Sequence, residues 1–302
     1  MSVGRVPDDG VVFVDGVRRA AHEATVSVYD RGFLYGDSVF EVVRTYGGAP
    51  FGLAEHVARL HASAAKLAMA LPWTEAALVA ELAQAVVSAG FPESYVRVVV
   101  TRGSGPLGLD LDLADEPLRV ALVHRLQLPK PAVYRDGVTV LVVDAPRATD
   151  GTAAQGAKAS NYLANLLALR DAKAAGAYEP LFVSGDEVLE GGTSNVFAIR
   201  GASLLTPPLG RILGGITRQH VLDAAPTVGL RPSIEPLSLA ALGSADEVFI
   251  TSTVREIVSV VGVIVAGSVR RIGDGTPGPR TRALHRAFRA HVGAAADPLP
   301  WE

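Results

Sequence analysis

A proline-bearing segment near the middle of the chain, Leu126–Val133, separates two stretches that each carry their own strand and helix patterns. Pro129 and Pro131 interrupt both kinds of periodicity, which is typical of a linker between domains. The length of 302 residues also suggests two domains, at roughly 100–200 residues each. We therefore predict a small N-terminal domain over 1–126, a linker over 127–132 and a large domain over 133–302.

Hydrophobic periodicity predicts an α/β fold of the α+β type, with strands and helices in both domains. Asp15-Gly16 predicts a hairpin, and the apolar spacing of Ala54–Leu71 predicts an amphipathic helix with His56, Arg59 and Ser63 on a neighbouring stripe. Further predicted strands are Val11–Val14, Val17–Arg19, Tyr95–Thr101, Leu118–His124, Val138–Val143, Leu181–Ser184, Asn195–Ile199 and Val248–Thr251. Further predicted helices are Thr74–Ala89, Asn161–Ala175, Thr217–Ala224 and Thr281–His291. Asp30–Gly36 is predicted to be a loop, and Ser38–Thr45 either a helical turn or a strand.

Composition narrows the functional classes before any motif is considered. Cysteine is absent, which excludes disulfides, thiolate catalysis and cysteine-ligated metals, and no histidine spacing indicates a metal site. The net charge is −3, so we expect no nucleic-acid partner. No apolar run reaches the ~20 residues that span a bilayer, and MSVGRVPDDG has no apolar signal core. We expect a soluble, cytoplasmic protein without a membrane partner.

One of the few lysines has an unusual sequence neighbourhood. Lys158 lies in AAQGAKASNYLANLL, among small residues and away from any carboxylate in sequence, between a predicted strand and a predicted helix. An amine in dry surroundings without a nearby anion gives up its proton more readily and becomes a better nucleophile. A solvated surface lysine is the ordinary alternative, and Lys158 by itself does not decide between them.

Three other segments place polar groups next to predicted strand or helix ends. Glu190 in LEGGTSNVF precedes two glycines, which allow close approach to a flat ligand, although a hairpin has the same pattern. The string GGITR, 214–218, opens a helix whose free N–H groups can bind an anion, although a plain threonine cap is common there. Thr251-Ser252-Thr253 puts three hydroxyls at a strand end, where a solvated turn is the alternative.

Two other motifs, the Walker phosphate loop of nucleotide-binding proteins and the nucleophile elbow of serine hydrolases, are absent from the sequence. The stretch GSGPLG at 103–108 is not followed by Gly-Lys-Ser/Thr, so it does not match a Walker phosphate loop. No Gly-x-Ser-x-Gly elbow accompanies the histidines and serines, although counting residues does not exclude a Ser-His-Asp triad.

Taken together, six segments in order resemble the fold type IV pyridoxal-phosphate enzymes, the class IV aminotransferases and their relatives. The segments are DRGFLYGDSVFE (30–41), HVARLHASAAKL (56–67), AKASNYLANLLA (157–168), EGGTSNVF (190–197), LGGITRQHV (213–221) and ITSTVREIVSV (250–260). The resemblance covers nearly the whole chain. It implies a small N-terminal α/β domain and a larger, β-barrel-like C-terminal α/β domain that binds pyridoxal 5′-phosphate (PLP).

The resemblance also implies a role for each matching residue. Lys158 would carry PLP as a Schiff base and move the substrate proton, and Glu190 would face the pyridine nitrogen. Arg59 would hold the phosphate with Ile216, Thr217, Ser252 and Thr253, and Tyr162 would reach the 3′-oxygen. Ser194 and Asn195 complete the predicted cofactor-binding set.

Substrate specificity is less well defined by the resemblance. The predicted substrate-binding positions are Tyr35, Phe40, Tyr95, Arg97, Leu107 and Leu109. Phe40, Leu107 and Leu109 stand where the best-known D-amino-acid enzymes have tyrosine, arginine and histidine. Tyr35, Phe40 and Tyr95-Val96-Arg97 fit branched-chain enzymes better, although Ser38 and Thr251-Ser252-Thr253 depart from that pattern.

We therefore predict transamination between an L-branched-chain or other hydrophobic amino acid and a 2-oxo acid such as 2-oxoglutarate. The alternatives are a D-amino-acid aminotransferase with an atypical pocket, an aminodeoxychorismate lyase and a cofactor-binding protein without turnover. The lyase is disfavoured because Glu41 stands where the best-known lyase has threonine. The protein without turnover is disfavoured because the set of motifs is complete. The resemblance further implies a homodimer or a multiple of dimers, with Tyr35 and Arg97 near the partner.

Overall fold

The computed structural model describes residues 10–147, 150–295 and 299–300. The described chain forms two compact units: unit 1 runs to Gln127 and includes Gly151–Asn161, and unit 2 comprises Leu128–Asp150 and the residues from Tyr162 onward. The predicted large domain includes 151–161, whereas the structure groups this segment, and Lys158 with it, with unit 1. The stretch MSVGRVPDD lies outside the described residues.

One antiparallel sheet organises unit 1. Its strands are β1 (Val11–Val14), β2 (Val17–Arg19), β3 (Ser38–Tyr46), β4 (Ala49–Pro50), β5 (Ser94–Thr101) and β6 (Leu118–Arg125). They lie in the order β2-β1-β6-β5-β3-β4. Strand β3 is buried on both faces, so its sequence lacks the polar-apolar alternation that would have distinguished a strand from a helical turn.

Three helices complete unit 1: α1 (Arg31–Tyr35), α2 (Leu53–Lys66) and α3 (Glu75–Ala89). The apolar stripe of α2 enters the core through Val57, Leu60 and Ala64, as predicted. Helix α2 stops earlier than predicted, because Ala68 adopts a left-handed φ of 49° that a helix cannot continue through.

The predicted loop over Asp30–Gly36 is wrong, because this segment contains the short helix α1. The Asp30 carboxylate accepts hydrogen bonds from the backbone N–H groups of Gly32 (2.8 Å) and Phe33 (3.3 Å), which caps the first turn. Gly36 ends the helix in the left-handed conformation, with φ 69°.

Unit 2 contains a ten-stranded mixed sheet. Its strands are β7 (Val138–Asp144), β8 (Glu179–Ser184), β9 (Glu187–Gly191), β10 (Asn195–Arg200), β11 (Ser203–Thr206), β12 (Arg231–Ile234), β13 (Leu237–Ser238), β14 (Glu247–Ser252), β15 (Glu256–Val265) and β16 (Ser268–Arg271). The order is β12-β11-β10-β14-β15-β7-β8-β9-β13, with β16 paired to β15. Strand β7 runs parallel to both of its neighbours, β8 and β15.

Both faces of this sheet are buried. Val196 of β10 and Val248 of β14 belong to one core cluster, whereas the next residues, Phe197 and Phe249, belong to another and stack at 4.9 Å between ring centroids. The helices of unit 2 are α4 (Pro131–Arg135), α5 (Leu163–Ala174), α6 (Ile216–Ala224), α7 (Leu239–Gly243) and α8 (Pro279–His291). Within the described ranges, no helix is long and apolar enough to cross a membrane.

Candidate active site

The backbone of Lys158 is held by two elements of unit 1. The Phe40 N–H of β3 donates to the Lys158 carbonyl (2.9 Å), and the Ser160 N–H donates to the Ser38 carbonyl (3.0 Å). The Lys158 N–H in turn donates to the Ser63 hydroxyl of α2 (3.1 Å). Lys158 is half-buried, which does not fit the solvated surface lysine that the sequence left open.

An aromatic ring contacts the Lys158 amine. Its Nζ lies 4.5 Å from the centroid of the Phe40 ring, and the Arg97 guanidinium of β5 lies 4.1 Å from the same centroid. Phe40 is only 3% exposed. Lys158 and Arg97, predicted from separate segments, are therefore brought together in unit 1 around the buried ring of Phe40.

Arg59 is held by a buried carboxylate that the sequence motifs did not assign to the cofactor. Glu41 of β3 accepts hydrogen bonds from Arg59 Nε (2.7 Å) and Nη2 (2.7 Å) and pairs with His56 Nδ1 (2.8 Å). The predicted stripe of α2 therefore points inward, His56 and Arg59 toward Glu41 and Ser63 toward the backbone of Lys158.

Charge and burial set the protonation of this cluster. Burial by itself raises the pKa of Glu41, but the charge and hydrogen bonds of Arg59, helped by His56, outweigh it and lower the pKa to about 2. Burial also lowers the pKa of His56, and the hydrogen bond with Glu41 offsets only part of that effect. Glu41 is therefore ionised and His56 is neutral at neutral pH, which leaves one carboxylate facing one guanidinium.

The other predicted substrate residues of unit 1 lie on α1, β5 and the loop after β5. The Tyr35 hydroxyl accepts from the Gly108 N–H (3.2 Å). Tyr95 shares the Arg97 face of β5 and is half-buried. Leu107 and Leu109, in contrast, are 68% and 82% exposed.

In unit 2, the Glu190 carboxylate of β9 is surrounded by donors. It accepts from the Leu213 N–H (2.9 Å), from Asn195 Nδ2 (3.3 Å) and from an Arg147 Nη1 in close contact. Arg147 also pairs with Asp150, and no local pattern predicts its role because it lies outside every motif. These three donors fix the orientation of the carboxylate.

The start of α6 is built to accept an anion. Its N-cap, Gly215, provides no side-chain hydrogen bond, so the first N–H groups, from Ile216 onward, are not capped by a side chain. A Cβ atom at Gly215 would overlap Asn195 Oδ1, which explains the glycine. The Thr217 side chain is buried in the first turn.

The remaining predicted residues of unit 2 lie in a hairpin, a loop and a helix cap. Ser252 and Thr253 begin the turn between β14 and β15, where the Ser252 hydroxyl accepts from Arg255 Nε (2.9 Å). The Ser194 hydroxyl donates to Glu179 Oε1 (2.6 Å). Tyr162 is half-buried as the N-cap of α5.

Comparison with known proteins gives this arrangement a family. The model of the amino-transferase class IV family matches residues 38–263, and the chain belongs to this family. A putative branched-chain-amino-acid aminotransferase of Methanocaldococcus jannaschii is 35% identical over 282 residues (92% of this chain, 95% of the relative). A D-alanine aminotransferase of Bacillus licheniformis is 32% identical over 282 residues (93% and 96%).

Solved structures support the fold. The branched-chain amino acid aminotransferase of T.th., solved with pyridoxamine 5′-phosphate, has a TM-score of 0.86 at 28% identity and covers 96% of both chains. The predicted fold type IV architecture is confirmed, and so is a PLP-dependent aminotransferase as the class of enzyme. PLP is the cofactor of class IV aminotransferases, which confirms the predicted cofactor.

The donors in the structure fit the chemistry of PLP. The uncapped start of α6 and the hydroxyls of Thr217 and Ser252 supply neutral donors suited to a phosphate. The Glu190 carboxylate is a hydrogen-bond acceptor suited to a protonated pyridine nitrogen. Among the described residues, no group of three or more metal-ligating side chains is found.

Proposed function

We propose that this aminotransferase exchanges the amino group between an L-branched-chain or other hydrophobic amino acid and a 2-oxo acid such as 2-oxoglutarate. The observation that carries the proposal is the buried Phe40 ring, which both the Lys158 amine and the Arg97 guanidinium contact. The ring offers an apolar wall beside the reactive amine, and the guanidinium beside it suits the second carboxylate of 2-oxoglutarate. The similarity to the Methanocaldococcus jannaschii relative supports the same substrate class.

We assign the cofactor contacts residue by residue. Lys158 is the attachment point, Glu190 pairs with the pyridine nitrogen, and Tyr162 donates to the 3′-oxygen. The phosphate is bound by Arg59, by the backbone and hydroxyl of Ile216-Thr217, and by the hydroxyls of Ser252 and Thr253. Asn195 supports Glu190, to which its amide donates, and Ser194, in the loop between β9 and β10, precedes Asn195.

PLP, when bound, supplies a ring that accepts the electrons left at the substrate Cα. With PLP bound, Lys158 would hold the Cα proton of the substrate on Nζ and act as the general base and then the general acid. Glu190 would hold a proton on the pyridine nitrogen. The amino group leaves one substrate before the next binds, so ping-pong kinetics follow.

A D-amino-acid substrate is the second candidate, because the Bacillus licheniformis relative is a D-alanine aminotransferase. A panel of L- and D-amino acids, each followed by the bleaching of the visible band of the holoenzyme, separates the two. We expect L-leucine, L-isoleucine and L-valine to bleach the band and D-alanine to leave it. Bleaching by D-alanine alone would overturn the proposed substrate, and release of pyruvate from aminodeoxychorismate would establish a lyase.

We also propose a homodimer or a multiple of dimers. Unit 1 exposes several large apolar side chains on α1, on the segment before it and on the loop after β5: Val28 (64%), Tyr29 (56%), Phe33 (71%), Leu107 (68%) and Leu109 (82%). Exposed apolar side chains in such number favour burial against a second copy.

A cytoplasmic location, expected from composition, is a further proposal that cell fractionation tests.

A further inference from the structure

The turn between β14 and β15 contains an arginine that contacts its own hairpin and two other segments of unit 2. Arg255 donates from Nε to the Ser252 hydroxyl (2.9 Å) and from Nη1 to Glu179 Oε1 of β8 (3.2 Å). Its Nη2 donates to both the carbonyl (3.1 Å) and the hydroxyl (2.8 Å) of Thr193. Its side chain is only 13% exposed, so these contacts are largely shielded from water.

Glu179 extends the same network to the loop after β9. Its carboxylate accepts from the Ser194 hydroxyl (2.6 Å) and from the Thr193 N–H (3.3 Å), and it is 4% exposed on the side chain. Arg255 and Glu179 therefore tie the Thr193-Ser194 loop to the hairpin that carries Ser252. Both segments carry residues that we assign to the cofactor, whereas Arg255 and Glu179 themselves carry no such assignment.

The direction of the Arg255–Ser252 hydrogen bond limits what the serine can do. A guanidinium donates only, so Nε occupies a lone pair on the Ser252 oxygen. The hydroxyl hydrogen must then be donated to a different acceptor. A hydroxyl polarised by a cationic donor is a stronger donor itself, which suits an anionic acceptor such as a phosphate oxygen.

The charge of Arg255 is already balanced by Glu179. Burial by itself lowers the pKa of Arg255, but Glu179 and Tyr178 outweigh it and raise the pKa. The guanidinium therefore stays charged, and its partner carboxylate cancels most of its field at a distance. Arg255 is consequently suited to orient a neighbour rather than to attract an anion from afar.

We propose that Arg255 is a positioning residue that sets the Ser252 hydroxyl as a hydrogen-bond donor to the cofactor phosphate. The proposal rests on the assignment of Ser252 to the phosphate. Its signature is specific to the phosphate: losing Arg255 weakens the binding of PLP, and leaves the binding of pyridoxal, which has no phosphate, nearly unchanged.

The test is a double-mutant cycle on the full chain, stripped of cofactor and titrated separately with PLP and pyridoxal by absorbance. We expect Ser252→Ala and Arg255→Met each to weaken PLP affinity about tenfold, since a hydrogen bond to a charged group has about that effect. The double variant should lose about tenfold rather than a hundredfold, because both changes remove one interaction. Pyridoxal affinity should change less than twofold throughout.

Each result that departs from these expectations overturns a different part of the proposal. If Ser252→Ala leaves PLP affinity unchanged, the assignment of Ser252 to the phosphate is wrong. If Ser252→Ala weakens PLP but Arg255→Met does not, or if the two losses multiply, the role of Arg255 is overturned. An equal loss of PLP and pyridoxal affinity in Arg255→Met would show a general structural role and also overturn it.

Two further variants guard against misfolding. Arg170→Met removes an arginine of α5 whose side chain is 70% exposed, and should behave as wild type. Arg255→Lys keeps a cation near Glu179 but has no Nε donor for Ser252, so it should retain the fold and still show the PLP-specific loss. Wild-type PLP affinity in Arg255→Lys would contradict the proposal even if Arg255→Met does not fold.

Discussion

Lys158 owes its position to backbone contacts rather than to its own side chain. Its carbonyl accepts from Phe40 of β3, and its N–H donates to Ser63 of α2, so the amine is presented from a rigid segment. Small neighbours on either side let the segment lie close to the strand. Rigid support of this kind is what a group that moves a proton needs, because the transfer depends on distance.

Lys158→Ala is expected to remove both the covalent link to PLP and the proton carrier. Turnover should fall by at least about a hundredfold, the low end of what a positioned acid–base group contributes. Borohydride reduction followed by mass spectrometry should find the cofactor on Lys158 in the wild type and no reduced adduct in the variant. Lys173→Ala is the control, since Lys173 is an exposed lysine of α5, and this variant should keep both the covalent link to PLP and turnover. A reduced adduct in Lys158→Ala would show that another amine is the attachment point.

The Glu41 cluster predicts how stability depends on pH. The pKa of Glu41 is about 2 in the fold against an ordinary 4.5, so its contribution is fully present above pH 4.5 and is lost as the pH falls toward 2. The pKa of His56 is also below its ordinary 6.5, so the contribution of His56 is likewise lost on acidification, starting near pH 6.5. Glu41→Gln should lower the free energy of unfolding at pH 7 by about 3 kcal/mol, the equivalent of the Glu41 shift.

Denaturant unfolding at a series of pH values measures how the free energy of unfolding depends on pH. The Glu41→Gln variant should lose less stability than the wild type between pH 4.5 and 2, since the group that titrates there is gone. Glu55→Gln, an exposed carboxylate on the same helix α2, should follow the wild-type curve. Parallel curves for wild type and Glu41→Gln over that interval would mean that Glu41 is not the titrating group.

Among the elements, the start of α6 shows how one glycine serves two functions. Gly215 begins the helix without a side-chain cap, and its missing Cβ makes room for Asn195. Asn195 in turn donates to Glu190 and to the Leu213 carbonyl. The helix terminus and the carboxylate of β9 are therefore coupled through one amide.

Gly215→Ala should displace Asn195 and disturb both ends of this arrangement. We expect a loss of about 1–3 kcal/mol in the free energy of unfolding, typical of overpacking, and a weaker affinity for PLP. Gly214→Ala is the matched control, because a Cβ there meets only the Leu209 side chain, at 3.6 Å. Thermal unfolding and PLP titration of both variants make the comparison. Equal behaviour of the two would argue against the Asn195 contact.

For the molecule as a whole, the exposed apolar side chains of unit 1 predict self-association. Replacing Phe33 or Leu109 by aspartate should raise the dissociation constant of the dimer at least tenfold, because a desolvated charge without a partner is costly at an interface. Light scattering over a range of concentrations measures the change. Val87→Asp alters a solitary apolar side chain on α3 that is 72% exposed, and should leave the dimer intact. A fully active wild-type monomer would contradict the proposal.

Local patterns were sufficient for most elements and insufficient where packing decides. The stripe of α2 and the hairpin at Asp15-Gly16 follow from spacing and turn chemistry, and the structure confirms them. Helix α1 was missed because its cap depends on one side chain, Asp30, in a segment rich in loop-forming residues. Strand β3 was ambiguous because burial on both faces removes the alternation that identifies a strand.

The order of the motifs along the chain is enough to assign the class of chemistry. A lysine among small residues, a carboxylate before two glycines and a helix start rich in donors occur in the order of one family, and order along the chain needs no coordinates. The groups that hold the polar residues of the site are known only from the fold: Glu41 for Arg59, Arg147 for Glu190, and Glu179 for Arg255. These partners lie 18, 43 and 76 residues apart in the chain, and a hydrogen bond over such separations is set by packing, which no local pattern encodes.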